Sequence, residues 1–221
     1  MVNILLYNNA TNRIEQYARE LYEAMPYNNN RTLTVAEFRG KSASNLVWTD
    51  RSTMQAWNVT RAAWGRPIYI GYAFRRIGEG GHADMSQHYA GTAFDVGQNL
   101  SSADRDALRR TAAQTGAWTY VEPQSMTPTW VHFDKRFGVP ACATGGYPTL
   151  STGSRGNYVA LLQDALETAG IPAVGVDGIF GAVTRRAVVR FQSENGLVAD
   201  GVVGCATWRK LTSLTNNKFR Q

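Results

Sequence analysis

The chain has 221 residues, 43% of them hydrophobic and 18% charged, with a net charge of +6; this composition suits one large or two modest folded cores and excludes wholesale disorder. No apolar run approaches the roughly 18 residues of a membrane span, and MVNILLYNN has neither the basic flank nor the apolar length of a secretory leader. The basic balance fits an anionic partner such as a wall polymer, but no Lys/Arg-rich run or nucleic-acid motif accompanies it, so neither nucleic acid nor a membrane is an expected partner.

In chain order, Asn12 followed by Glu15 reads as a helix start. Ile14, Tyr17, Ala18, Leu21, Tyr22 and Met25 then recur at helical spacing up to Pro26. TLTVAEF (32–38) reads as a strand. Residues 39–66 are mixed, with Trp48, Trp57 and Trp64 as core residues. PIYIGYAFR (67–75) reads as a second strand, GEGGHADM as a glycine-rich loop and TAFDVG (92–97) as a third strand. Ser101 with Asp104 opens a helix that Gly116 closes. WTYVE (118–122) and TWVHF (129–133) read as a strand pair. The sum is an α+β unit with an antiparallel-leaning sheet.

The texture changes near residue 138, where GVPACATGGYPTLSTGSRG is rich in Gly, Pro, Ser and Thr. The expected division is a first unit over 1–138, a linker over 139–147 and a second unit over 148–221. In the second unit, NYVALLQDALETAG and TRRAVVRFQSENG read as amphipathic helices. DGIFGAVT (177–184) and DGVVGCAT (200–207) repeat one Asp-Gly turn before a helix. Cys142 and Cys205 are too few for a disulfide scaffold and lack metal-site spacing. They read as two small buried residues, with a disulfide open to them in an oxidising compartment.

The second unit resembles the three-helix peptidoglycan-binding domains of bacterial and phage wall hydrolases. Its Gly153, Gly156, Leu162, Gln163, Asp177-Gly178, Phe180-Gly181, Thr184, Phe191, Gln192, Asp200-Gly201 and Thr207-Trp208 carry the likeness. The resemblance implies a small all-α fold that binds peptidoglycan and performs no chemistry.

The chemistry falls in the first unit. His88, Asp95 and His132 are the residue types of a catalytic metal site, with three protein ligands and one position left open. Spacing alone leaves His88 open to a second reading, as a polar loop residue satisfied locally. SQHYAGTAFD resembles the Ser-x-His-x-x-Gly-x-Ala-x-Asp motif of the zinc D-Ala-D-Ala carboxypeptidases and related peptidoglycan endopeptidases, through Ser86, His88, Gly91, Ala93 and Asp95. His132 matches their last ligand. The resemblance implies a hedgehog-like zinc fold with Zn2+ on His88, Asp95 and His132.

Many members of that family carry the catalytic Glu three positions before the last His, where this chain has Thr129. Glu122, ending WTYVE, resembles the arrangement of hedgehog domains and is the expected base, with Asp134 as the fallback. Arg75 or Arg76 stands where the family grips a substrate carboxylate, and Ser86 is a further candidate for substrate binding. His82 reads as an ordinary loop histidine. The resemblance thus implies a monomeric zinc peptidase acting on peptidoglycan stem peptides at the cell wall, by an unknown export route, foremost as a D-Ala-D-Ala carboxypeptidase. An endopeptidase, and a wall-binding protein that uses zinc only for stability, stand as alternatives.

Overall fold

The computed structural model describes residues 1–143, 145–171 and 175–217; Thr144, inside the expected linker, lies outside them. The first unit holds two sheets. In one, β1 (Val2–Asn8) pairs antiparallel with β2 (Arg13–Arg19) and parallel with β3 (Leu46–Asp50), giving the order β2-β1-β3. In the other, β4 (Ile70–Tyr72), β5 (Ala93–Val96), β6 (Tyr120–Val121) and β7 (Val131–Asp134) form an antiparallel sheet in the order β4-β5-β7-β6. Helices α1 (Val35–Arg39), α2 (Arg51–Trp64) and α3 (Ser102–Gln114) pack with them. The shared core is aromatic: Trp48, Trp57, Phe38, Phe74, Phe94 and Phe133 are buried together, with Trp64 at the edge.

Two expectations fail here. The segment after Asn12 is strand β2, not a helix. Its helical stripe does not bury, since Tyr22 is 79% exposed and Leu21 40%. Asn12 takes a positive φ in the turn that returns the chain, and pairing with the apolar β1 outweighs the local spacing. Conversely, TLTVAEF contains helix α1 rather than a strand. Thr34 and Glu37 form a reciprocal capping box, and Val35 and Phe38, three apart, are both buried. Residues 67–75 reduce to the three-residue β4. The strand at 93–96, the α3 helix capped by Ser101 and the β6–β7 pair lie where the sequence puts them.

The stretch read as a linker carries a hairpin, β8 (Pro140–Cys142) with β9 (Gly145–Pro148). Beyond it stand three helices, α4 (Asn157–Thr168), α5 (Ala182–Glu194) and α6 (Cys205–Asn217). The repeated turn is built twice in the same way. The Gln163 carboxamide accepts from Asp177 and Gly178 N–H and donates to Asp177 and Thr184. Gln192 accepts from Gly201 N–H and donates to Asp200 and Thr207. Each buried amide thereby satisfies a turn that would otherwise leave backbone donors unpaired.

The units are packed together. Arg76 is bonded to the buried Asp164 of α4, and Asn157 donates to Asp50 and to the Ala90 carbonyl. Tyr158 donates to Gln87 at 2.8 Å, and Tyr147 of the hairpin to the Ser86 carbonyl at 2.7 Å. Cys142 and Cys205 form a disulfide that ties the hairpin to the first turn of α6.

Candidate metal centre

The second sheet assembles the site by register. Asp95 on β5 stands opposite His132 on β7. The pairing Tyr120↔Asp134 and Val121↔Phe133, continued by the bond from Glu122 N–H to the His132 carbonyl at 2.9 Å, sets Glu122 opposite His132. Directly opposed residues share a face, so Asp95, His132 and Glu122 form one row across three strands. His88 comes from the loop before β5. That loop turns at Gly91, whose φ is +69° and where a Cβ would lie 2.0 Å from the Trp48 carbonyl oxygen. Only glycine lets the chain pass so close to Trp48.

One ligand atom each from His88, Asp95 and His132 lie within 4.8 Å of one another. The tautomers suit a metal. His88 Nδ1 donates to the Ala73 carbonyl at 2.8 Å, which leaves the Nε2 lone pair facing the site. Buried Nε2 makes no hydrogen bond and lies 3.2 Å from Asp95 Oδ2. His132 is held between carboxylates, Nδ1 at 2.7 Å from Asp95 Oδ1 and Nε2 at 3.3 Å from Asp134 Oδ2. Burial lowers the His132 pKa, but the bonds to Asp134 and Asp95 outweigh it and hold it up to about 9. Burial raises Asp95, but the hydrogen bond from His132 and the two imidazoles beside it hold it well below the usual carboxylate range. An orphaned imidazole nitrogen and a carboxylate in one cluster fit a divalent cation, which replaces the shared protons as the positive charge.

The fallback base Asp134 takes a supporting role, and two further neighbours, His82 and Arg109, gain roles the sequence reading did not give them. Asp134 is fully buried and clamped by Arg136, so it orients His132 rather than facing substrate. His82 does not lie aside as a loop residue. Its ring stacks on His88 at 4.4 Å and meets Tyr72 edge-on at 4.6 Å, and its Nε2 is buried without a hydrogen-bond partner. Burial, then the nearby His88, push its pKa down to about 3, so it is neutral. Arg109 of α3 donates to the carbonyls of Glu122, Thr127 and Trp130 at 3.0, 2.9 and 2.9 Å. One guanidinium therefore holds the loop that runs from Glu122 to the His132 strand. The only sequence sign of this was an Arg on the α3 helix, since three main-chain carbonyls leave no motif.

The remaining candidates separate. The Arg75 guanidinium lies over the Tyr72 ring and near Glu79 and the Gly80 carbonyl, beside His82. The Arg76 guanidinium is committed to Asp164 and does not serve the site as a free cation. Ser86 Oγ accepts from the His88 N–H at 3.3 Å and so caps the turn that presents His88.

Comparison with known proteins adds a family for the second unit. Residues 155–211 match the family described as "Putative peptidoglycan binding domain". The chain is 47% identical over 73 residues to a zinc D-Ala-D-Ala carboxypeptidase of Streptomyces albus G, a match covering 31% of this chain and 28% of that protein. It is 43% identical over 61 residues to an N-acetylmuramoyl-L-alanine amidase of Mycobacterium tuberculosis, covering 28% and 15%. Among solved structures, a peptidoglycan-binding protein from Clostridioides difficile is 43% identical with a TM-score of 0.31, covering 32% of this chain and 44% of that one. These likenesses fall on the binding domain and not on the metal cluster. The chain therefore has homology to peptidoglycan-binding proteins and to segments of peptidoglycan hydrolases.

Proposed function

We propose that the protein is a zinc-dependent peptidase that hydrolyses peptidoglycan stem peptides, with residues 1–138 as the hydrolase and the helical unit holding it on the wall. The observation that carries this reading is the row Asp95–His132–Glu122 with His88 beside it. It sets three candidate ligands, two imidazoles and a carboxylate, next to a second carboxylate that is not bound up in their network. His88 Nε2, an Asp95 oxygen and His132 Nδ1 would hold the metal. When bound, zinc supplies Lewis acidity at the position the protein leaves open. Glu122 accepts the proton of the attacking water and returns it to the leaving amine. Asp134 keeps His132 in the required tautomer. Neutral His82 and Arg75 line the approach and bind the peptide, the guanidinium pairing with a carboxylate. The binding unit raises local substrate concentration without adding catalytic contacts. A disulfide fits work outside the cytoplasm, at the wall.

Removal of a terminal D-Ala is the foremost reaction. Arg76 is engaged by Asp164, leaving Arg75 alone of the two to meet a terminal carboxylate; this favours cleavage of an internal stem or cross-bridge bond as the second reading. Mass spectrometry of products from cross-linked peptidoglycan and pentapeptide fragments, with zinc and after chelation, separates the two. Glu122→Gln should retain one zinc per chain and lose about 10²–10⁴-fold in turnover. A holoprotein that binds the wall and cuts no bond would reduce the metal to a structural role.

A further inference from the structure

Of the three candidate ligands, His88 is the one that no strand carries. Asp95 and His132 lie in the β5–β7 ladder, inside the first unit. His88 belongs to the loop that leads into β5, and that loop packs on the helical unit. Tyr89 and Ala90, the two residues after His88, are fully buried in one apolar cluster with Tyr158, Val159 and Leu162 of α4. Met85, three residues before His88, packs against the same cluster. Its φ is +58°, a left-handed conformation that a methionine keeps only where its surroundings hold it. A Cβ at Gly146 of the hairpin would lie 2.5 Å from the Met85 sulfur, so this side chain rests on the hairpin backbone.

The polar contacts run the same way. Three consecutive carbonyls after His88 each accept from a buried side chain. Trp48 Nε1 donates to that of Tyr89 at 2.9 Å and Thr49 Oγ1 to that of Gly91 at 2.7 Å, both from β3. The carbonyl between them, on Ala90, accepts from Asn157 Nδ2 at 2.9 Å. Before His88, Tyr147 donates to the Ser86 carbonyl and Tyr158 to the Gln87 side chain. Asn157, Tyr158 and Tyr147 are each at most 2% exposed. Removing one of these donors therefore leaves a desolvated acceptor without that partner.

We infer that Asn157, Tyr158 and Tyr147 are positioning residues for the metal centre: they hold the loop that presents His88, so the helical unit is part of the metal site's scaffold. This rests on the reading of His88, Asp95 and His132 as metal ligands and not on which bond is cut. The bond from His88 Nδ1 to the Ala73 carbonyl sets the turn of the ring from within the first unit; the helical unit sets where the loop lies. Loosening the loop withdraws one ligand of three and leaves the other two on their strands.

The test uses the full chain, stripped of metal and titrated with zinc against a competing chelator, at a temperature where every variant is folded by circular dichroism. Asn157→Leu keeps the volume and removes the donor; Tyr158→Phe removes one hydroxyl. Each should weaken zinc binding, and the two together by about tenfold or more, as substitutions behind metal ligands do. The cobalt-loaded double variant should show altered visible d–d bands, because the geometry at His88 changes. Gln87→Leu removes the acceptor of Tyr158, so Tyr158→Phe should cost a Gln87→Leu chain no further zinc affinity; this pair decides if Asn157→Leu fails to fold. Val188→Ala opens a cavity on α5 in the same apolar cluster and should lower the melting temperature with zinc affinity and cobalt bands unchanged. Parent-like affinity and bands in the double variant overturn the inference, and so does an equal loss in Val188→Ala, which would make the effect one of general stability. A parent protein that binds no zinc sinks the metal reading and the inference together. A parent that binds zinc and cuts no bond, with weakened variants, upholds the inference and sinks the peptidase.

Discussion

His132 sits between two carboxylates, Asp95 and Asp134, and that single fact sets the behaviour of the metal-free protein. Its pKa is held at about 9, against an ordinary value near 6.5. Folded chain thus binds a proton that unfolded chain has released between those values. The stabilisation is complete below about pH 6.5 and is lost as pH rises through about 9. Asp95 and His82 act at the other end. Both pKa values are lowered, so acid protonates the unfolded chain first and stability falls with falling pH. The urea midpoint of chelated protein should therefore decline from pH 7 to 10, and the zinc-loaded protein should show a smaller decline because metal displaces the His132 proton. A chelated protein with a flat midpoint over that range would contradict the His132 arrangement. The residue types of this cluster were legible because metal chemistry restricts ligands to few side chains. His82 was not, because a ring contributed by a long loop carries no spacing that marks it.

At the scale of elements, legibility followed how local the determinants are. The α3 helix declares itself through a cap within one turn, Ser101 bonding Asp104 N–H at 3.1 Å. The β2 strand does not, because its partner β1 decides its state. The α1 helix was legible and misread. Thr34-Val35-Ala36-Glu37 is a capping box, and the β-branched residues around it obscured the signal. The loop from Glu122 to Trp130 illustrates the same division. Its ends lie in a strand pair readable from sequence, but its shape depends on Arg109 from α3. Arg109→Ala leaves three carbonyls to find water or remain unpaired, at about 1–3 kcal/mol each if they stay buried. Turnover should fall at least tenfold, because the loop that carries Glu122 loosens, while zinc content stays at one per chain because His132 remains in the β5–β7 ladder. Arg109→Lys, with one ammonium in place of the fork, should recover only part of the loss. A variant of unchanged kcat would show that the loop holds itself.

For the whole molecule, the question is whether the binding unit is tethered or fixed. Sequence texture near residue 138 points to a tether. The described structure is braced at two points, by the Cys142–Cys205 disulfide at α6 and by Arg76–Asp164 at α4. No property of Arg76 in isolation distinguishes a substrate-binding arginine from a brace; that depends on which surface α4 presents 88 residues later. Asp164 is only 3% exposed and also accepts from the Ile77 N–H at 3.2 Å. Burial raises its pKa, and Arg76 is the charge that opposes this. Arg76→Ala strands a buried carboxylate, which costs about 3–5 kcal/mol or forces it to take a proton. The variant should unfold at clearly lower denaturant, regain part of the difference below pH 5, and lose further stability when the disulfide is also reduced, because the disulfide is a second brace on the helical unit. Arg76→Ala/Asp164→Asn, with no stranded charge, should be more stable than Arg76→Ala alone. If the single variant unfolds like the parent while binding substrate more weakly, Arg76 belongs to the cleft and the two units are merely adjacent.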